Sequence, residues 1–160
     1  MQYRNCKIRE IAEKEYDLLE DFLYEAIFIP EGVEAPPKSI VKLPELQVYV
    51  EDFGKREGDM GMVAEVDGKI VGAVWVRIME DYGHVDKDTP SFAISLYKEY
   101  RKGGIGTAMM QEMLKVIKQA GYAKASLAVQ KANYAVKMYQ KVGFEIVEEK
   151  EEEYIMVCNM

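Results

Sequence analysis

The residues best suited to binding chemistry form one glycine-rich run with two basic side chains, Arg101-Lys102-Gly103-Gly104-Ile105-Gly106-Thr107. The run follows an apolar, strand-like segment at 92–97 and opens an amphipathic, helix-like segment at 105–120. A glycine-rich turn between a strand and a helix directs several backbone N–H groups at one point, where the helix dipole favours an anion. The two basic side chains add cationic donors there. The run therefore predicts a phosphate site, and we expect its ligand to be a pyrophosphate-bearing cofactor.

Two common phosphate-binding motifs do not fit this run. The chain contains no G-x-x-x-x-G-K-[ST] sequence, which a P-loop requires. A dinucleotide fingerprint counted from Gly104 and Gly106 would need its third glycine at Met109, where a large side chain obstructs close helix–strand packing. The pattern that remains is Arg-x-x-Gly-x-Gly, fixed by Arg101, Gly104 and Gly106. The alternative is a plain strand–helix turn whose glycines only permit positive φ angles.

A second segment adds to this pattern, Asn133-Tyr134-Ala135-Val136-Lys137-Met138-Tyr139, and it is followed by Gly143-Phe144. Asn133 is a good N-cap, and apolar residues recur after it at helical spacing. Gly143 stands where a glycine commonly ends a helix. The segment therefore predicts a short helix that leads into another extended run.

Together the two segments resemble the GNAT superfamily of N-acetyltransferases. The first, Arg101-x-x-Gly104-x-Gly106, resembles that family's coenzyme A pyrophosphate loop. The second, Asn133-x-Ala135-x-x-Met138-Tyr139 closed by Gly143-Phe144, resembles its other signature segment. The resemblance extends from about residue 3 to the C-terminus, although the N-terminal third carries little of it. It implies acetyl-CoA as the cofactor and an acyltransferase as the class of enzyme.

The order of elements predicts one α/β domain over residues 1–160, a GNAT-like mixed sheet with helices on both faces. We expect this sheet to be mostly antiparallel, with six to seven strands. Strands are predicted at 3–9, 60–66, 69–78, 92–97, 125–129, 144–147 and 154–158, and helices at 13–28, 46–53, 105–120 and after Asn133. Asp67-Gly68 between two apolar runs is typical of a hairpin turn. Prolines and a glycine break residues 30–44 into a long loop, of a length that is usually functional or mobile.

The bulk composition narrows the class of protein. At 49% hydrophobic and 31% charged residues it is typical of a soluble globular domain. No apolar run is long enough to cross a membrane, and residues 1–9 show no signal-peptide pattern. Cys6 and Cys158 are isolated, which favours a reduced, cytoplasmic chain, although terminal strands could bring them together. The net charge of −7 argues against nucleic-acid binding; it is compatible with a cationic acceptor or simply with solubility.

The resemblance also implies how the cofactor arm is held. In the family, the strand before the phosphate loop carries a bulge and splays from its neighbour, so that its backbone groups pair with the pantetheine arm. Here that strand is Ile94-Ser95-Leu96, and Ile94 and Leu96 are candidate cofactor-binding residues. The Leu96 N–H is the candidate for polarising the thioester carbonyl. A core role for the Leu96 side chain is compatible with this backbone role.

Tyr139 is the candidate general acid for the departing thiolate, because a phenol with a reference pKa of about 10 remains protonated at neutral pH. The alternative is a core tyrosine, since the chain contains 11 tyrosines. Asn133 could cap its helix, contact the cofactor, or do both.

The general base is left open by the sequence. Ser91 stands where relatives often carry a glutamate, which puts a direct carboxylate base in doubt. The nearby alternatives are water relays and the side chains of Glu80, Asp81, His84, Asp86 and Asp88. His84 is the only histidine, and with two distant cysteines it makes no zinc pattern.

Candidate residues for the pocket that binds the acceptor amine are chosen only by their position along the chain. Trp75, Arg77 and Tyr82 follow or lie on the third strand, where family members often shape the acceptor pocket, and the 30–44 loop could cover it. For Trp75, core packing is the preferred interpretation.

The resulting hypothesis is an N-acetyltransferase that uses direct attack by a primary amine in a ternary complex. The acceptor could be a small amine, an amino acid, an antibiotic, or a protein N-terminus or lysine. A non-catalytic CoA-binding sensor is the alternative, and a nucleotide-binding protein unrelated to CoA is the third candidate. No nucleic-acid or membrane partner is expected, and a homodimer is suggested only by analogy.

Overall fold

A seven-stranded sheet runs through the part of the chain that the computed structural model describes, residues 5–160. The strand order is β1-β2-β3-β4-β5-β7-β6, and every neighbouring pair is antiparallel except β4 and β5. The strands are β1 (Cys6–Glu10), β2 (Met60–Val66), β3 (Lys69–Arg77), β4 (Ser91–Leu96), β5 (Lys124–Gln130), β6 (Glu145–Glu149) and β7 (Glu153–Asn159). The predicted fold class is therefore confirmed. The predicted first strand, 3–9, falls partly outside the described residues.

Four α-helices cover the two faces of this sheet within residues 5–160. They are α1 (Leu18–Ala26), α2 (Pro44–Gln47), α3 (Ile105–Gln119) and α4 (Ala135–Val142). Alternate side chains of β3 enter separate cores: Val74 packs with α3 and α4, whereas Trp75 packs with α1 and the α2 region. No helix of the described part is long and apolar enough to cross a membrane.

Two predicted helices are shorter than their sequence patterns suggest. The 13–28 segment divides into a 3₁₀ turn at Glu13–Glu15 and then α1. The division follows from Glu15, whose carboxylate accepts the Ala12 N–H at 2.8 Å and pairs with Arg9 at 2.6 Å. Glu15 therefore closes a separate turn before α1 begins.

The 46–53 helix is replaced by the four-residue α2 and a series of turns. The reason is competition for backbone carbonyls. Trp75 Nε1 donates to the Tyr49 carbonyl at 2.9 Å, and Arg77 Nη1 donates to the carbonyls of Val48 and Glu51 at 3.1 and 2.8 Å. These long-range hydrogen bonds give the backbone carbonyls of the segment partners without a continuous helix. Trp75 is fully buried, in agreement with its preferred interpretation as a core residue. Arg77 is also fully buried, so neither side chain is available to an acceptor pocket.

The middle of the sheet is incompletely paired. β4 and β5 share a single register pair, Ser91 with Ser126, and then diverge. The splay expected from the family is therefore present. The expected bulge is absent, because β4 keeps an unbroken register with β3 from Ser91 opposite Arg77 to Leu96 opposite Gly72.

The two cysteines do not meet. Cys6 lies on β1 and Cys158 on β7, with four strands between them, and both are free thiols. Burial raises the pKa of each thiol.

The buried ion pair between Arg77 and Asp59 gives the first testable prediction. Its two side chains are 0% and 1% exposed and approach to 2.9 Å. Asp59→Asn leaves the guanidinium buried without its counter-charge, so we expect a loss of about 3–5 kcal/mol in the free energy of unfolding. Urea denaturation measures it. The matched control is Glu112→Gln, which removes an exposed carboxylate paired with Lys115 and should change stability by less than about 1 kcal/mol. A similar loss in both variants would contradict the prediction.

Candidate functional site

A cleft of about 930 Å³ opens where β4 and β5 diverge. One wall is β4 from Phe92 to Leu96 and the other is β5 from Leu127 to Gln130. The end of α1 and the apolar chain after it close one side, and the first turn of α3 together with α4 closes the other. The cleft is therefore formed by the elements on which the sequence placed its candidates.

The orientation of the β4 backbone follows from its pairing with β3. Tyr97 N–H donates to the Val71 carbonyl at 3.0 Å, in the same register as the rest of the pair. Alternate residues of an antiparallel strand bond to the same neighbour, so Ser95 pairs with β3 while Ile94 and Leu96 turn their N–H groups toward β5. Because β5 has diverged, these groups face the cleft. The Leu96 carbonyl is occupied by Arg101 Nε at 2.9 Å, which leaves the Leu96 N–H as the available group.

The glycine-rich run forms a tight turn into α3. Lys102 and Gly104 both have positive φ, at 65° and 93°, and Gly104 is the residue before the first helical turn. The N–H groups of Ile105, Gly106 and Thr107 precede the first helical hydrogen bond, which runs from Ala108 N–H to the Gly104 carbonyl. A side chain at Gly106 would place its Cβ 3.3 Å from Met138 Sδ, so this glycine permits close packing of α3 and α4.

Most of the predicted cofactor-binding residues line this cleft, namely Ile94, Leu96, Arg101, Lys102, Gly104, Gly106, Thr107, Asn133 and Tyr139. Gly103 and Ile105 do not line it. The Ile105 side chain is fully buried in the core, so only its backbone is available to a ligand.

The two basic side chains of the run have protein partners. Arg101 Nη2 lies 3.4 Å from the Glu25 carboxylate, in addition to its contact with the Leu96 carbonyl. Lys102 Nζ lies 5.0 Å from the centre of the Tyr134 ring. Arg101 thus ties α1 to the end of β4, whereas the sequence suggested a free cationic donor.

Tyr139 lies at the cleft with only 9% of its surface exposed and packs against Phe144 at 6.2 Å between ring centres. Burial raises its pKa well above the ordinary value for a tyrosine, so the hydroxyl is protonated at neutral pH. Asn133 Oδ1 accepts the Ala135 N–H at 2.9 Å, so its side chain caps α4 as predicted. Gly143 then ends α4 with a φ of 117°.

Of the acidic and histidine candidates for a base, only Asp81 is brought to the start of β4. Its Oδ1 accepts a hydrogen bond from Ser91 Oγ at 2.8 Å. Asp86 is engaged elsewhere: hydrogen bonds from Thr89 and Lys124 lower the pKa of its carboxyl to about 2. His84 Nδ1 contacts the Met79 carbonyl at 2.9 Å, and the side chains of Glu80 and Asp88 are exposed.

Sequence reasoning missed several polar side chains at the cleft, among them Glu25 and Tyr49. Both come from the N-terminal third, where the motif signal is weak. Glu25 is one of several acidic residues on α1, and Tyr49 belongs to the segment that was predicted to be helical. Neither carries a local pattern that separates it from an ordinary surface or core residue.

The chain is similar to known proteins both in sequence and in fold. An N-alpha-acetyltransferase from Sulfurisphaera tokodaii is 35% identical over 94 residues, which are 53% of this chain and 56% of the relative. The N-alpha-acetyltransferase 50 of Danio rerio is 33% identical over 99 residues, 61% of this chain and 58% of the relative. The chain thus matches little more than half the length of these relatives.

Two crystal structures share the fold at low identity. A GNAT-family acetyltransferase from Streptococcus pneumoniae superposes with a TM-score of 0.69 at 21% identity, covering 97% of this chain and 99% of the other. The PaiA N-acetyltransferase from Thermoplasma acidophilum, solved in complex with coenzyme A, gives 0.71 at 19% identity with the same coverage.

The family itself is established by a match over most of the sequence. The model of the acetyltransferase (GNAT) family fits residues 17–144, which include the glycine-rich run, the splayed strands and α4. The chain therefore belongs to the acetyltransferase (GNAT) family.

Proposed function

We propose that this protein transfers the acetyl group of acetyl-CoA to a primary amine by direct attack in a ternary complex. The cofactor and the enzyme class are those of the family. The observation that carries the proposal is the divergence of β4 from β5 beside the first turn of α3. It joins an anion-binding helix end to a strand edge whose backbone groups are available to a ligand.

The residues of the cleft fit acetyl-CoA. The N–H groups at the start of α3, with Gly104 and Lys102 in the turn, suit the pyrophosphate. Ile94 and Leu96 offer strand-like hydrogen bonds to the pantetheine arm, and Asn133 lies at the same cleft. When bound, the cofactor supplies the acetyl group as a thioester.

Two groups of the chain would assist the transfer. The Leu96 N–H would stabilise negative charge on the thioester oxygen, because it is fixed by the β3–β4 register. The Tyr139 hydroxyl would donate a proton to the departing sulfur, because its raised pKa keeps it protonated. Direct attack requires the amine and the thioester side by side, which the common cleft supports.

The acceptor to test first is an α-amino group of a polypeptide, because the two relatives above are named N-alpha-acetyltransferases. The net charge of −7 is compatible with any cationic acceptor. A cytoplasmic location and a homodimer stay predictions.

The cofactor assignment is tested by calorimetry with acetyl-CoA. We expect micromolar binding by the wild type and a loss of about 100-fold or more in Gly104→Glu, which puts a carboxylate into the anion site. Gly121→Glu is a matched control: Gly121 also has positive φ, at 96°, and follows the other end of α3 with nothing near its Cβ. Both variants carry similar backbone strain, of roughly 1 kcal/mol. Equal binding by the two variants would contradict the phosphate site.

The acid role of Tyr139 is tested by Tyr139→Phe in an assay of thiol release. The probes are a hexapeptide with a free α-amino group, the same peptide blocked at its N-terminus with one free lysine, and putrescine. We expect kcat to fall by about 10²–10⁴-fold with an unchanged Kd for acetyl-CoA. Tyr154→Phe, on β7 and outside the cleft lining, is the control. A wild type that binds acetyl-CoA but acetylates none of the probes favours the CoA-binding sensor.

The position of Glu25 predicts a variant that binds the cofactor more tightly. Its carboxylate lines the cleft and pairs with Arg101, so it adds a negative charge near a site for an anion. Glu25→Gln should lower the Kd for acetyl-CoA by about 2–10-fold at low salt, and the gain should shrink as ionic strength rises. Glu112→Gln makes the same charge change at an exposed position of α3 and should leave the Kd unchanged. Weaker binding by Glu25→Gln would show that holding Arg101 in place outweighs the charge.

A further inference from the structure

Asp81 is held in an unusual setting beside the one point where β4 and β5 are still paired. Ser91 Oγ donates to its Oδ1 at 2.8 Å, and Ser91 in turn lies 3.3 Å from Ser126 Oγ, which donates to the Gly83 carbonyl at 2.7 Å. These contacts join the β3–β4 loop to Ser91, the first residue of β4, and to Ser126 of β5. The carboxylate therefore reaches the start of β4 from the loop.

The second oxygen of this carboxylate has no partner. Oδ2 of Asp81 is buried and is the only buried side-chain oxygen or nitrogen among residues 5–160 without a hydrogen bond. A buried carboxylate oxygen without a donor destabilises the folded state, so such groups are rare unless they serve a ligand or a reaction. An unsatisfied oxygen at this position can accept a proton.

Tyr49 is the cleft residue that interacts with the Asp81 carboxylate. Tyr49 lines the cleft while Asp81 does not, and the Asp81 carboxylate is near enough to interact electrostatically with the Tyr49 hydroxyl. Burial, and then the adjacent carboxylate, raise the pKa of Tyr49, which therefore keeps its proton. Its backbone is fixed by the Trp75 indole, which donates to the Tyr49 carbonyl at 2.9 Å. A protonated phenol can donate one hydrogen bond and accept another, so it can pass a proton between two groups.

We propose that Tyr49 and Asp81 form the pair that accepts the proton of the acceptor amine. The amine nitrogen gives a proton to the Tyr49 oxygen while Tyr49 gives its own to Asp81 Oδ2. This inference rests on the proposed acetyl transfer. Catalytic hydrogen bonds are often long or poorly aligned without substrate and tighten when it binds.

The protons balance over one reaction. The bound ammonium group passes one proton through Tyr49 to Asp81, which leaves a neutral amine. Its nitrogen then bonds to the acetyl carbonyl carbon, and the carbon–sulfur bond breaks with its electron pair on sulfur. Tyr139 protonates that sulfur and regains, through solvent, the second proton that the nitrogen loses. Asp81 releases its proton to solvent, so the products are the amide, the CoA thiol and one free proton.

The test compares Asp81→Asn and Tyr49→Phe with Asp88→Asn, an exposed carboxylate of the same loop. Asparagine keeps an oxygen for Ser91 and removes the proton acceptor. With the best of the three amine probes, Asp81→Asn should lower kcat by about 100-fold or more. Its Kd for acetyl-CoA should stay within about twofold of the wild type, and its Tm within about 3 °C. Tyr49→Phe should lower kcat at unchanged Kd, and Asp88→Asn should match the wild type.

Two further results decide the inference. Because the residues act in series, the double variant should be no slower than Asp81→Asn alone, whereas multiplied losses would overturn the relay. An active wild type matched by both Asp81→Asn and Tyr49→Phe, or a large fall in Tm with proportional loss of acetyl-CoA binding, overturns the relay and leaves the acetyltransferase assignment intact. A wild type that acetylates no amine overturns both.

Discussion

The divergence of β4 from β5 is the constraint on which this structure depends. Backbone N–H and C=O groups of neighbouring strands normally form hydrogen bonds with one another. Between β4 and β5 this pairing ends after one register pair. Four antiparallel strands lie on one side of the break and three on the other. The network of Asp81, Ser91 and Ser126, and the ion pair of Lys124 with Asp86, hold the closed end together. The open end must be held by the helices that pack across the two halves and by what binds between them.

A second set of interactions positions Tyr49 at the cleft. The fully buried side chains of Arg77 and Trp75 donate hydrogen bonds to backbone carbonyls of the segment that follows α2. Asp59 neutralises the charge of the Arg77 guanidinium. The apolar pattern at 46–53 predicted a helix for this segment. The turns that form instead bring the Tyr49 ring to the cleft. Two residues of β3 that do not touch the cleft thus decide which side chain reaches it.

Local features of the sequence predicted the fold well. The Asp67-Gly68 hairpin, the α3 periodicity, and the Asn133 and Gly143 ends of α4 depend on neighbouring residues alone, and each has its predicted form. The glycine-rich turn was likewise predictable, because positive φ and a helix start have local causes. The missing bulge in β4 and the unwound 46–53 segment depend on contacts across tens of residues, which no local pattern encodes. For the same reason the position of Arg101 at the cleft could be predicted, whereas its contacts with the Leu96 carbonyl and the Glu25 carboxylate could not. Asp81 could likewise be named only as one of several candidates for the base.

The single register pair between β4 and β5 has a consequence for the mechanics of the molecule. A ligand arm that bonds to both diverging edges would act as a substitute strand and would complete a sheet that the polypeptide leaves divided. Binding of the ligand would then also stabilise the association of the two half-sheets. The free energy needed to separate them would therefore depend on ligand concentration. Slow hydrogen exchange at the centre of the sheet would accordingly be a property of the complex, and the free chain would have a seam along which its two halves could move.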